Sequence, residues 1–142
     1  MDRSTFVLAA MSPAGGRRYS PVQIQKLMFL LDREISDLVG GPYFAFQPYH
    51  YGPFDKTVYA VLESLADQGH LDLDDRMVNR RSYALTPSGL EAGLAALGEL
   101  DRRAQDFIRR SSEFVRKHTF SALVSAIYKK YPEMRQNSVF QH

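Results

Sequence analysis

Helical rhythm dominates the pattern of apolar and polar positions. Ile24, Leu27, Met28, Leu31, Ile35 and Leu38 recur at steps of three and four, which predicts a helix with one apolar face. Its start is marked by Ser20 as N-cap, Pro21 in the first turn and Gln23 three residues after the cap. Gly40-Gly41-Pro42 ends it. Phe29 and Leu30 widen the apolar face, so this helix is expected at the centre of the fold. A shorter helix is predicted near residues 4–11, followed by the loop Ser12-Pro13-Ala14-Gly15-Gly16-Arg17-Arg18.

Residues 43–51 read YFAFQPYHY, aromatic-rich and broken by Pro48, which predicts an edge strand or an extended segment. Tyr51-Gly52-Pro53-Phe54 is then expected to turn into a third helix capped by Asp55. Val58, Val61, Leu62 and Leu65 form its apolar stripe, and Gln68-Gly69 closes it. Two short strands are predicted near 70–74 and 81–86, forming a β-hairpin with a basic tip. Thr86-Pro87 opens a fourth helix with Leu90, Leu94 and Leu97 on its apolar face. A fifth helix is expected from about 101 to 117. A sixth should run from Thr119 to Tyr131, with Phe120, Leu123, Val124, Ile127 and Tyr131 on one side and Pro132 as its stop.

The predicted class is mainly α with a small β-hairpin. The order of elements is that of a winged helix-turn-helix, over residues 1–98, followed by a C-terminal helical extension over 99–142. The length of 142 residues suits such an arrangement, and no internal repeat interrupts it.

Composition narrows the chemistry. With no cysteine, a disulfide scaffold, a thiolate zinc site, an iron–sulfur cluster and a cysteine nucleophile are excluded. No stretch approaches 18 apolar residues, so a soluble cytoplasmic protein with no membrane contact is expected. The net charge is only +2, but its distribution is uneven. Residues 1–98 carry 9 basic and 11 acidic side chains, whereas 99–142 carry 9 basic and 5 acidic. An anionic partner is therefore expected to favour the C-terminal third.

Two surfaces could read such a partner. In a DNA-binding winged helix, Lys56 and Thr57 would meet the groove from the start of the third helix. Arg76, Asn79, Arg80 and Arg81 on the wing would reach phosphates. Against this, Asp72, Asp74 and Asp75 stand just upstream, so the wing could equally be a solvated, self-paired turn. Glu63 and Asp67 on the third helix would be repelled by phosphates. The connection over residues 39–54 is also far longer than the usual helix-turn-helix turn of about 3–4 residues.

The second surface would serve a protein. The aromatic segment, with Tyr43, Phe46, Tyr49 and Tyr51, either packs on the core or forms an exposed patch. The fifth helix carries the pairs Arg102-Arg103, Arg109-Arg110 and Arg116-Lys117 at a seven-residue interval, along one side. That side is either the solvated face of a packing or dimerising helix or an electrostatic rail for phosphates or an acidic partner. A homodimer is compatible with either.

Enzyme signals are poor. His50, His70, His118 and His142 lack metal-ligand spacing, and no phosphate loop or nucleophile elbow is present. Asp72-x-Asp74 starts like a calcium loop, but Met77 and Tyr83 stand where glycine and glutamate are needed. His50 reads as a partly buried strand residue more readily than as an acid–base group. No cofactor or metal is expected.

Two resemblances sharpen these expectations. Residues 57–65, with Gly69-His70-Leu71 after them, resemble the third helix of PadR- and MarR-type regulators. Gln25-Lys26-Leu27-Met28-Phe29-Leu30-Leu31, Tyr49-His50-Tyr51-Gly52-Pro53-Phe54, Leu65 with Gly69, and Tyr83-x-Leu85-Thr86-x-x-Gly89 resemble the YwgA-like group. The related SocA-like, or Panacea antitoxin, domain stands behind that group. The likeness covers roughly residues 20–95 and lacks the tryptophan that often sits near the Tyr-Gly-Pro turn. It implies a small accessory protein, and in the Panacea branch the neutralisation of a toxin by direct binding. The leading expectation is a non-enzymatic winged-helix DNA-binding regulator, as in the regulatory half of a toxin–antitoxin or phage-defence locus. The alternative is a protein-binding antitoxin or adaptor that docks a partner without DNA.

Overall fold

The structure is a computed structural model that describes residues 1–77 and 80–140. Among the described residues, six helices and two short hairpins follow in the order α1 (Arg3–Met11), α2 (Pro21–Val39), β1 (Gln47–Tyr49), β2 (Gly52–Phe54), α3 (Lys56–Asp67), β3 (Leu71–Asp74), β4 (Ser82–Leu85), α4 (Pro87–Gly98), α5 (Arg102–Lys117) and α6 (Phe120–Lys130). The 3-10 turns lie at Ser12–Ala14 and Pro132–Arg135. The fold is mainly helical with a small β component.

Helix α2 begins where its capping signals place it. Ser20 Oγ accepts from the Gln23 amide, and the Ser20 amide donates to Gln23 Oε1 at 2.8 Å, closing a reciprocal capping box. Gly40 ends the helix in the left-handed region. Nine consecutive residues, 24–32, are buried, so the helix is enclosed on every side along two and a half turns. That enclosure draws in three polar side chains, Gln25, Lys26 and Asp32.

The wing is the β3–β4 hairpin, with Leu71 opposite Leu85 and Asp74 opposite Ser82. Tyr19, just before α2, adds a rung by exchanging both backbone hydrogen bonds with Tyr83, at 2.7 and 2.9 Å. Arg18 fastens the same edge through Asp72 and Ser82. Along the chain, two helices are followed by the β1–β2 hairpin, a third helix and the β3–β4 hairpin.

Residues 43–54 depart from the expected single extended segment. Residues 47–54 form a second antiparallel hairpin, β1–β2, in which 52–54 are a strand rather than a turn into α3. Pro48 stands opposite Pro53, so the two residues without an N–H share one rung and cost the ladder nothing elsewhere. His50 lies in the exposed turn rather than in a partly buried strand.

Helix α4 also differs from expectation. Its buried line is Gly89, Gly93, Ala96 and Leu97, while Leu94 is 49% exposed. The cause is the close approach of α1: a Cβ at Gly93 would lie 2.4 Å from the Leu8 carbonyl oxygen. Helix α5 lies along α2, with Ala104, Ile108, Ser111, Ser112 and Val115 inward and the Tyr19 hydroxyl 2.6 Å from Ser112 Oγ. Leu123 and Ile127 of α6, with Tyr131 and Met134, complete the same buried cluster as Phe6, Leu27 and Leu62. Phe120, expected on the inner face of α6, is 44% exposed. Pro132 stops α6 as expected and opens the second 3-10 turn.

Candidate functional site

The surface expected to meet DNA is built from α3 and the wing. Asp55 caps α3 through the Thr57 amide at 2.8 Å, leaving Lys56 exposed and Thr57 half-buried. Beyond the first turn the outward face carries Glu63, Ser64 and Asp67. The N-terminus of α1 adds Asp2 beside Ala60 and Ser64. On the wing, Arg76 grips Asp74 with two nitrogens, at 2.8 and 3.0 Å, and so holds that carboxyl well below its usual range. The Arg81 guanidinium faces the Tyr83 phenol, with Asp75 and Glu63 nearby. Arg80 is exposed. Asn79 lies outside the described residues. Of these arginines, Arg76 is met by a wing carboxylate, whereas Arg80 is in no ion pair among the described residues.

The aromatic segment splits in two. The Tyr43 ring stacks on Phe6 at 4.5 Å and its hydroxyl donates to the Val39 carbonyl. Phe46 meets Phe29 and Phe44 edge-on. These two therefore serve packing, and an expected partner role for them gives way to the core. Asp32 holds this half in place by accepting the amides of Tyr43 and Phe44, at 2.8 and 2.7 Å. Burial nonetheless pushes its carboxyl up. The other half points outward: Tyr49 is 48% and Tyr51 43% exposed. Tyr49 stacks on His50 and Phe54, while Tyr51 meets Phe120 edge-on at 5.1 Å. Phe140 continues the row beyond Phe120.

A cavity of about 150 Å³ opens under this row. Val22, Gln25, Lys26, Tyr49, Tyr51 and Tyr59 are among the residues that line it. Its chemistry comes from α2. The Gln25 amide pairs with the backbone of Asp55, donating at 2.9 Å and accepting at 3.0 Å, and so ties β2 and α3 to the helix. Lys26 is 3% exposed, and its Nζ donates to the Pro53 carbonyl at 3.2 Å. Burial pushes this amine down to about 7. Gly52 lets the hairpin come this close. Its φ of +101° is in the left-handed region, and a Cβ there would meet Tyr128 at 3.4 Å and Lys26 Cε at 3.5 Å. The C-terminal tail braces the turn from behind: the Val139 amide and Ser138 Oγ both donate to the His50 carbonyl.

Lys26 was legible only as part of a Lys-Leu motif, not as a site. The signal that could have revealed it is the width of the apolar face around it. A helix buried on all sides must bury its polar residues too, and a lysine without a neighbouring acid then stands out.

The fifth helix places its six cations as the spacing predicts, with Arg116 the most covered. Several are engaged: Arg103 pairs with Asp101, Arg109 lies 3.9 Å from Asp106, Arg110 covers Phe107, and Arg116 bonds Ser112 Oγ. Arg102 and Lys117 are exposed. Between α2, α5 and α6 an apolar groove of about 270 Å³ is lined by Leu30, Phe107 and Phe114 and rimmed by Arg110 and Lys130.

Among the described residues no three His, Asp or Glu side chains converge as a metal site would require. No helix there is long and apolar enough to cross a membrane. No family model matches the chain, and none of the curated proteins compared with it matches.

Proposed function

We propose that this chain is a non-enzymatic binding protein that docks a partner protein on its aromatic hairpin, as an antitoxin or adaptor does. The observation that carries this reading is the exposed row of Tyr49, Tyr51 and Phe120, the first two of which line a cavity together with Lys26. Exposed aromatic rings grouped beside a pocket are what a protein–protein hot spot needs, since their burial supplies most of the binding energy. The Arg76–Asp74 pair on the wing and the acids on α3 argue in the same direction, because they weaken the field that DNA would feel. The resemblance to the SocA-like domain accords with it.

The test is a photo-crosslinking side chain placed at Tyr51 in cells. One discrete protein adduct is expected. Once purified, that protein should bind the chain stoichiometrically and lose at least about tenfold in affinity with Tyr49→Ala plus Tyr51→Ala. Absence of any discrete adduct at position 51 overturns the reading.

Duplex DNA binding as a regulator is the second reading. Lys56 and Arg80 favour it, both being exposed and in no ion pair among the described residues.

A further inference from the structure

We propose that the cavity beneath the aromatic row is a carboxylate pocket, in which Lys26 Nζ receives the side chain of a glutamate or aspartate from the docked partner. This rests on the protein-docking reading and adds the chemistry of the contact.

Three observations lead to it. First, Lys26 is nearly wholly buried, lines the cavity, and donates one hydrogen bond, to the Pro53 carbonyl. An ammonium has three donors, and Lys26 forms no ion pair among the described residues. A buried charge of this kind is costly until an anion meets it. Second, the cavity holds about 150 Å³, well below the roughly 300–1,000 Å³ of a drug-sized ligand site. It has room for the tip of a side chain. Third, the rim is apolar and aromatic, so a partner that seats its carboxylate would also cover Tyr49 and Tyr51 and exclude water from the ion pair.

The groups facing Lys26 are Gln25 on its own helix, Tyr49, His50 and Tyr51 on the hairpin, Tyr59 on α3 and Tyr128 on α6, the last covered by Arg135. None of these is a carboxylate. An arriving carboxylate would favour the charged amine, so binding would take up a proton near and above neutral pH. Affinity would then be greatest below about pH 7 and fall by up to about tenfold per pH unit above it.

The experiment uses the full chain and two capped pentapeptides, each with two phenylalanines flanking a central glutamate or a central glutamine, followed by NMR. The glutamate peptide is expected to shift the signals of Lys26 and residues 50–52, to bind at least about tenfold more tightly than the glutamine peptide, and to raise the Lys26 titration midpoint. Lys26→Met should erase the preference for glutamate while keeping the fold. Equal binding of the two peptides, or no binding of either up to the solubility limit, overturns the proposal. Free glutarate binding as tightly as the peptide would also overturn it, in favour of a small-acid site. A crosslinked partner that binds Lys26→Met as well as the natural chain would sink the carboxylate pocket and leave the docking reading intact. Loss of the Tyr51 adduct would sink the docking reading itself.

Discussion

Lys26 concentrates the energetic conflict in this molecule. Its amine is held at about 7 in the folded chain against an ordinary 10.5. Above about pH 10.5 the amine is neutral folded or unfolded, and its burial carries no charge penalty. As pH falls toward 7 the unfolded chain takes up a proton that the folded chain refuses, so stability is lost across that window and levels off below it. The steepest slope is ~1.4 kcal/mol per pH unit. Lys26→Met removes this term. The variant is expected to be the more stable protein at pH 7, with its advantage shrinking by pH 9.5, as read from urea midpoints at both values. A gap that does not change with pH would show that the amine is solvated. Sequence reasoning reached the neighbours of this residue but not its role, because exposure of a lysine depends on what covers the helix from outside.

Among the elements, the α1–α4 contact shows how backbone approach overrides an apolar stripe. Leucine spacing alone places Leu94 inside, yet α4 meets α1 at Gly93, while Gly89 abuts the His70 backbone. Alanine at 93 would gain roughly 1 kcal/mol in helix propensity. It would also push a methyl group against the Leu8 carbonyl, and overpacking of this kind costs ~1–3 kcal/mol, or more where backbone must move. Gly93→Ala is therefore expected to destabilise the chain in urea unfolding. Leu94→Ala, at an exposed site, should change stability by no more than about 0.5 kcal/mol. An unchanged Gly93→Ala midpoint would mean that α1 can shift away at no cost. The β1–β2 hairpin teaches the same lesson: two prolines in eight residues argue against strands, until the register puts both on one rung.

Across the whole molecule, charge bears on the choice between the two kinds of partner. The net charge of +2 is too small to drive DNA binding by itself, and Arg76 on the wing is held by Asp74. Random duplex DNA is expected to bind weakly at low salt and not measurably at physiological salt, by fluorescence anisotropy. Tight, steeply salt-dependent binding that Arg80→Ala plus Arg81→Ala weakens and flattens would establish the wing as a phosphate reader instead.

Local signals alone were enough for the helices. The Ser20–Gln23 capping box, the Asp55 and Thr86 caps and the stops at Gly40 and Pro132 act within a few residues of one another, so they can be read in one dimension. The order of the helices follows from those signals, and the seven-residue interval of cations along α5 is read in the same way. Only the tertiary structure decided which side of the aromatic segment is core and which is surface. Tyr43 and Phe46 turn inward because Phe6 and Phe29, far away in sequence and buried, meet them there, whereas Tyr51 meets Phe120, which is itself exposed. The enclosure of Lys26 was likewise decided there, since it takes α2, the hairpin and α3 together to remove one amine from water.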